Sequence, residues 1–245
     1  DNEVHVWCES LRQSSSSRQR LIQTLSPEER MRAERFCFDQ HRREFIVRRG
    51  VLREMLGRYL DLEPNQMQFN YGPKGKPILA GDHGRGPLGF NLSHSCGLAL
   101  YVVSREGRIG VDLEHIRLIA EMQQIVTQHF SALENKVFQA LPTTKKQEAF
   151  FSGWTRKEAF VKAIGDGLSM SLDTFDVSMV PGGSARVMNI RGDSKSASRW
   201  LIRDLRPAPG FVGALAMEGE SLRLHCWQWT EEFPKRSRFK PELQG

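Results

Sequence analysis

Two periodicities alternate along this chain. Residues 3–8 (EVHVWC) switch between polar and apolar at every step and predict a strand. LSPEER, 25–30, carries a helix start, with Ser26 as cap, Pro27 in the first turn and Glu29 closing an S-x-x-E box. From about Arg42 to Leu60 an apolar stripe of Phe45, Leu52, Met55, Leu56 and Tyr59 recurs at helical spacing. Arg42, Arg49 and Arg53 fall on its other side. A short strand at 67–71, a Gly/Pro turn (GPKGKP, 72–77) and a Gly-rich loop (81–89) lead to strands at 90–94, 97–103 and 108–114.

The second half repeats this order. Ser131 and Glu134 form another capping box, opening a helix toward Ala140, and a longer helix runs from about Lys146 to Ile164. Strands follow at 174–180, 185–190, 200–205, 211–217 and 222–229, separated by polar turns (PGG, RGDSKSAS, RPAPG). The segment from Thr230 is polar, holds two prolines and is expected to lie extended on the surface. Residues 41–71 and 146–180 look like a weak internal duplication, with Phe69-Asn70 answering Phe175-Asp176. The expected fold class is α+β, as two similar subdomains at 1–104 and 105–229 with a tail at 230–245. A duplicated fold tends to place its site in the groove between halves.

Composition narrows the function classes. The 245 residues include 39% hydrophobic and 26% charged side chains, a globular balance. No apolar run reaches the ~18 residues of a membrane span, and DNEVHVW lacks a secretory pattern. Cys8, Cys37, Cys96 and Cys226 are far apart and form no CxxC pair, which argues against zinc and against a disulfide framework. The expectation is a reduced, cytoplasmic protein, and joined subdomains favour a monomer. A net charge of +6 favours anionic partners. Nucleic acid finds no zinc spacing, repeat or basic helix-turn-helix pattern to support it.

Four motifs carry possible chemistry. In GRIGVDLEHIR, 107–117, strand alternation puts Asp112 and Glu114 on one face and Ile109, Val111 and Leu113 on the other. Paired carboxylates call for a compensating cation, and oxygen ligands suit Mg²⁺, although two acids on a solvent face are also common. In WTRKEAFVK, 154–162, Glu158 and Lys162 are helical neighbours, with Trp154 a turn earlier. They fit a metal ligand or base beside a phosphate-binding cation, or an ordinary surface pair. In FNLSHS, Ser93 and His94 point to opposite faces of a strand, so they do not make a nucleophile–base pair. They suit phosphate binding better. GPKGKP presents Lys74 and Lys76, but the P-loop spacing fails. GRGPLG satisfies G-x-G-x-x-G only by letter, since no helix follows.

Taken in order, LSPEER, RREFIVRRGVLR, GKP, FNLSHS, GVDLE and WTRKEAFVKAIGDGL resemble the Sfp-type 4′-phosphopantetheinyl transferases over roughly residues 25–180. The resemblance implies a pseudo-twofold pair of α+β subdomains holding coenzyme A. It implies Mg²⁺ on Asp112, Glu114 and Glu158, with Lys162 on the pyrophosphate. Ser93, His94, Lys74 and Lys76 would hold phosphate groups and nucleotide, and Arg49 and Arg42 the 3′-phosphate. The implied reaction moves phosphopantetheine to a carrier-protein serine, with Glu158, Lys162 and Asp112 as the catalytic group. The acidic carrier would dock on the basic enzyme near His115 to Phe138.

Overall fold

A computed structural model of the chain describes residues 3–72, 76–81, 88–165 and 170–230. In chain order the elements are β1 (Glu3–Ser10), α1 (Ser15–Thr24), α2 (Pro27–Glu34), α3 (Asp39–Leu60), β2 (Phe69–Tyr71) and β3 (Pro77–Leu79). Then come β4 (Gly89–Ser95), β5 (Leu98–Ser104), β6 (Ile109–His115), α4 (Met122–His129), α5 (Ala132–Ala140) and α6 (Thr143–Ile164). The chain closes with β7 (Phe175–Val177), β8 (Val187–Ile190), α7 (Ser194–Ala197), β9 (Trp200–Leu205), β10 (Phe211–Glu218) and β11 (Arg223–Gln228). Single 3-10 turns at Pro64–Gln66 and Leu172–Thr174 precede β2 and β7.

By its own contacts the chain divides into two compact units. One comprises residues 9–88 with 97–99, and the other residues 1–8, 89–96 and 100–245. β1 and β4 therefore associate with the C-terminal half. Both units mix helix and strand, as the α+β assignment requires.

Local chemistry sets the helix starts. Both capping boxes form: Ser26 accepts from the Glu29 amide while Glu29 accepts from the Ser26 amide, and Ser131 and Glu134 do the same. α6 stops at Gly165, whose φ of 87° is the left-handed conformation that glycine adopts without strain. In the N-terminal unit, Glu29 is buried and paired with two guanidinium groups of α3. Arg49 Nε donates to Oε1 at 2.8 Å and Arg53 Nε to Oε2 at 2.6 Å. Arg49 and Arg53 thus do not lie on an exposed side of their helix, as the periodicity suggested. Charge pairing carries them inside, beneath the rings of Phe69 and Tyr71.

The C-terminal unit contains a four-stranded sheet, β11-β1-β5-β4, a three-stranded sheet, β6-β10-β9, and the β7-β8 pair. β1 and β11 pair in parallel, which the sequence does not signal, because strand direction leaves no mark on side-chain alternation. α1, β3 and the short α7 were also not anticipated. α1 has a weakly apolar composition with one buried residue, Leu21, and its Ser14 cap sits in a serine run that reads as loop.

α6 crosses β6 and β10 at unusually short range. Gly110 on β6 pairs with Ala216 on β10, and Asp112 with Ala214. A Cβ on Gly110 would lie inside contact distance of the Ala159 carbonyl and the Ala163 amide of α6. Glycine here buys close approach between backbones. The strand face with Gly110, Asp112 and Glu114 therefore looks at the helix, while Ile109, Val111 and Leu113 enter the core on the other side. Replacing Gly110 by alanine should cost about 3 kcal/mol, as an overpacked site without a flexible neighbour to yield. Urea unfolding checks this, and a midpoint within experimental error of the parent would refute the close contact.

Candidate active site

Three elements of the C-terminal unit bring the site residues together. β6 supplies Asp112 and Glu114, α6 supplies Glu158 and Lys162, and β4 supplies Ser93. Lys162 Nζ donates to Asp112 Oδ1 at 2.6 Å and to Ser93 Oγ at 3.1 Å, and Ser93 Oγ donates to the same carboxylate oxygen at 2.9 Å. Asp112 is only 5% exposed, and its second oxygen, Oδ2, is buried without a hydrogen-bond partner. A buried, bare carboxylate oxygen is costly unless a cation or donor reaches it.

Glu114 stands at the half-exposed end of β6, held by Ser95 Oγ at 3.2 Å and by Arg117 at 3.3 Å. Glu158 is half-buried. Burial chiefly, then repulsion from Asp112 and more weakly from Glu114, pushes its carboxyl above the ordinary range of 4.5, while Lys162 pulls the other way. The three acids thus share one electrostatic environment although they come from two distant segments. Among the described residues, no three His, Cys, Asp or Glu side chains stand close enough to grip one metal ion as the side chains lie. The donor chemistry nevertheless fits a hard divalent cation: carboxylate oxygens only, mutual repulsion, and a bare buried oxygen on the central residue.

β4 does more than the sequence reading assigned to it. Asn91, Ser93 and Ser95 share one face of the strand. The Asn91 side chain accepts from the Val111 amide at 3.0 Å, and Ser95 Oγ accepts from the His115 amide at 3.1 Å. These polar side chains satisfy the edge of β6 and fix the height of Asp112 and Glu114. The alternation N-x-S-x-S within FNLSHS was the available signal for Asn91 and Ser95. His94 points the other way and is exposed, so Ser93 and His94 are indeed on opposite faces.

The remaining expected residues lie in the N-terminal unit. Arg42 is exposed in the first turn of α3, Arg49 is held by Glu29 and Tyr71, and Lys76 is half-buried just before β3. Lys74 falls outside the described residues. Trp154, in the C-terminal unit, is half-buried against the core and stacks on Phe150 with ring centres 6.0 Å apart. The N-terminal unit also holds a cavity of about 700 Å³ bordered by Glu28, Arg32, Arg35, Arg53, Gln68 and Tyr71.

Known proteins match the chain along both of its halves. Residues 108–215 match the model of the 4′-phosphopantetheinyl transferase superfamily, and residues 11–106 match that of the 4′-phosphopantetheinyl transferase N-terminal region. The chain is 38% identical over 228 residues to 4′-phosphopantetheinyl transferase HetI of Nostoc sp., covering 93% of each protein. It is 30% identical to 4′-phosphopantetheinyl transferase psf-1 of Bacillus pumilus, over 67% of this chain and 70% of that one. To 4′-phosphopantetheinyl transferase Sfp of Bacillus subtilis it is 27% identical, over 71% and 75%. Matched along both halves by these sequences, the chain belongs to the 4′-phosphopantetheinyl transferase family.

Proposed function

We propose that the protein transfers the 4′-phosphopantetheine arm of coenzyme A to a serine hydroxyl of an apo acyl or peptidyl carrier protein in a Mg²⁺-dependent reaction, releasing adenosine 3′,5′-bisphosphate. The observation that carries this is the Asp112–Lys162–Ser93 cluster beside Glu158, with its bare carboxylate oxygen. Asp112, Glu114 and Glu158 would hold the ion. When bound, the ion would supply positive charge shared with the pyrophosphate of coenzyme A.

The chain's own residues account for the remaining work. Lys162 stands within reach of any phosphate oxygen that approaches Asp112, and its charge offsets what develops on the leaving phosphate. Glu158, with a raised proton affinity, suits removal of the carrier serine proton as its oxygen attacks the β-phosphorus. The bond from that phosphorus to the bridging oxygen breaks, and the electron pair leaves with adenosine 3′,5′-bisphosphate. Ser93 and His94, with Lys74, Lys76, Arg42 and Arg49 from the N-terminal unit, are assigned to the phosphates and nucleotide of coenzyme A. Of the arginines, Arg42 is free of a buried carboxylate, whereas Arg49 would share its charge with Glu29.

An acidic carrier suits the net charge of +6. Its docking segment is assigned to His115–Phe138. There Met122 and Ile125 pack on the core around Val126, Phe130 and Phe150, whereas Leu118 is 94% exposed. A monomeric, cytoplasmic enzyme completes the proposal. Among the described residues no helix is long and apolar enough to cross a membrane.

Intact-mass analysis of an apo carrier incubated with the protein, coenzyme A and Mg²⁺ should show a gain of one phosphopantetheine. No gain with several unrelated carriers would sink the assignment. Leu118→Ser should raise the carrier KM several-fold and leave coenzyme A affinity intact; an unchanged carrier KM would remove Leu118 from the docking surface.

The strain at Glu158 yields a third expectation. The folded state holds its proton more tightly than the unfolded state does. Its contribution to stability therefore declines as pH rises from 4.5 through the raised folded value. Without divalent ions at neutral pH, Glu158→Gln should raise Tm by about 2–4 °C, as relief of a functional strain of about 1 kcal/mol would. Mg²⁺ should stabilise the parent protein and not the variant. A variant that melts lower than its parent, or responds equally to Mg²⁺, contradicts the repulsion argued here.

A further inference from the structure

Behind the site, on the far side of α6, lies a buried ion pair that no part of the proposed chemistry uses. Lys157 is 0% and Glu134 1% exposed, and Lys157 Nζ lies 2.8 Å from Glu134 Oε2. The ammonium also donates to the carbonyls of Leu172 and Phe175, both at 2.7 Å, so all three of its hydrogens are used. Glu134 accepts from the Ser131 amide at 2.9 Å and the Val177 amide at 2.7 Å. Four pieces of the unit meet at one charge pair: the start of α5, the middle of α6, the 3-10 turn at 172–174 and β7.

Stability alone does not explain such a pair. Two charges taken from water are expensive, and well-packed apolar replacements are often neutral or better. Directionality is what apolar replacements lack. Lys157 directly precedes Glu158, and Gly110 already fixes how close α6 lies to β6. Rotation about the helix axis is the freedom left. A side-chain tip about 6 Å from that axis moves about 2 Å for a 20° turn, and an error of 1 Å can cost on the order of 10²-fold in rate.

We infer that Glu134 and Lys157 are positioning residues: their buried pair fixes the rotation of α6 and so aims Glu158 and Lys162 at Asp112. The inference rests on the transferase reading for its kinetic test, and not for its structural one.

The decisive variant is the apolar double replacement Glu134→Leu/Lys157→Met, which leaves no buried charge unpaired, as either single change would, although the amides of Ser131 and Val177 and the carbonyls of Leu172 and Phe175 lose these partners. Its Tm should fall, and rates are compared at a temperature where parent and variant are both fully folded. Its kcat should drop at least 10-fold, with the KM for coenzyme A changed less than 3-fold. Lys157→Arg, which keeps the charge, should recover part of the rate. Mn²⁺ affinity of the free protein, read by electron paramagnetic resonance, should weaken at least 5-fold in the double variant, and a crystal structure should show the Glu158 carboxylate displaced from Asp112.

A well-folded double variant with parental kcat and Mn²⁺ affinity would overturn the inference. So would a kcat that falls only as the folded fraction falls. If the parent protein modifies no carrier, the transferase reading fails, while Mn²⁺ affinity and the position of Glu158 still decide the positioning role.

Discussion

The candidate site depends on one close contact, the approach of α6 to β6 over Gly110. A residue with a Cβ would hold the helix off the strand, and the acids of the two segments would then no longer share an environment. Small residues continue the pattern next door, since Ala214 and Ala216 on β10 pair with Asp112 and Gly110. The helix answers with Ala159 and Ala163. A strip of missing side chains thus brings Glu158 into the field of the buried Asp112 and, more weakly, of Glu114, where like charges repel. Their cost is visible in the raised proton affinity of Glu158 and in the bare Oδ2 of Asp112. Lys162 and Ser93 offset part of it by sharing Asp112 Oδ1.

Much of this was legible in the chain. Alternation placed Asp112 and Glu114 opposite Val111 and Leu113, and the i,i+4 spacing placed Glu158 with Lys162. Both capping boxes were readable because each is a local rule, satisfied within four residues. Non-local facts escaped. Arg49 and Arg53 read as a polar helix side, but Glu29 lies twenty or more residues away and draws them inward. Glu134 read only as the acid of a capping box, and its buried pairing with Lys157, twenty-three residues on, is beyond any local rule. The parallel pairing of β1 with β11 joins segments more than two hundred residues apart, and neither strand encodes its partner's direction. Met122 and Ile125 fall in the segment expected to dock the carrier, and tertiary packing sets them against the core.

The internal duplication becomes sharper in three dimensions, and its register shifts. In the N-terminal unit Arg53 bonds the capping-box Glu29 and the carbonyls of Pro64 and Met67, the first residue and the end of a 3-10 turn. In the C-terminal unit Lys157 bonds the capping-box Glu134 and the carbonyls of Leu172 and Phe175, again the first residue and the end of a 3-10 turn. Hydrogen bonding therefore matches Met67, rather than Phe69, with Phe175. One device was built twice: a long helix tied by a buried cation to the start of an earlier helix and to the turn before a strand.

The same register explains why chemistry concentrates in one half. Matching Arg53 to Lys157 also matches Glu54 to Glu158 and Arg58 to Lys162, so both long helices carry an acid and a base one turn apart. Their surroundings differ. Glu54 forms an ion pair with Arg20 of α1, an internal neutralisation that consumes its charge. Glu158 instead faces Asp112 and Glu114, and the single charges of Lys162 on Asp112 and Arg117 on Glu114 leave one carboxylate of the three unbalanced. An acid already neutralised by an arginine has little affinity left for a metal ion, whereas an excess of negative charge creates demand for one. The divergence of the halves thus lies in what stands opposite two similar helices: an arginine in one unit, two further carboxylates in the other.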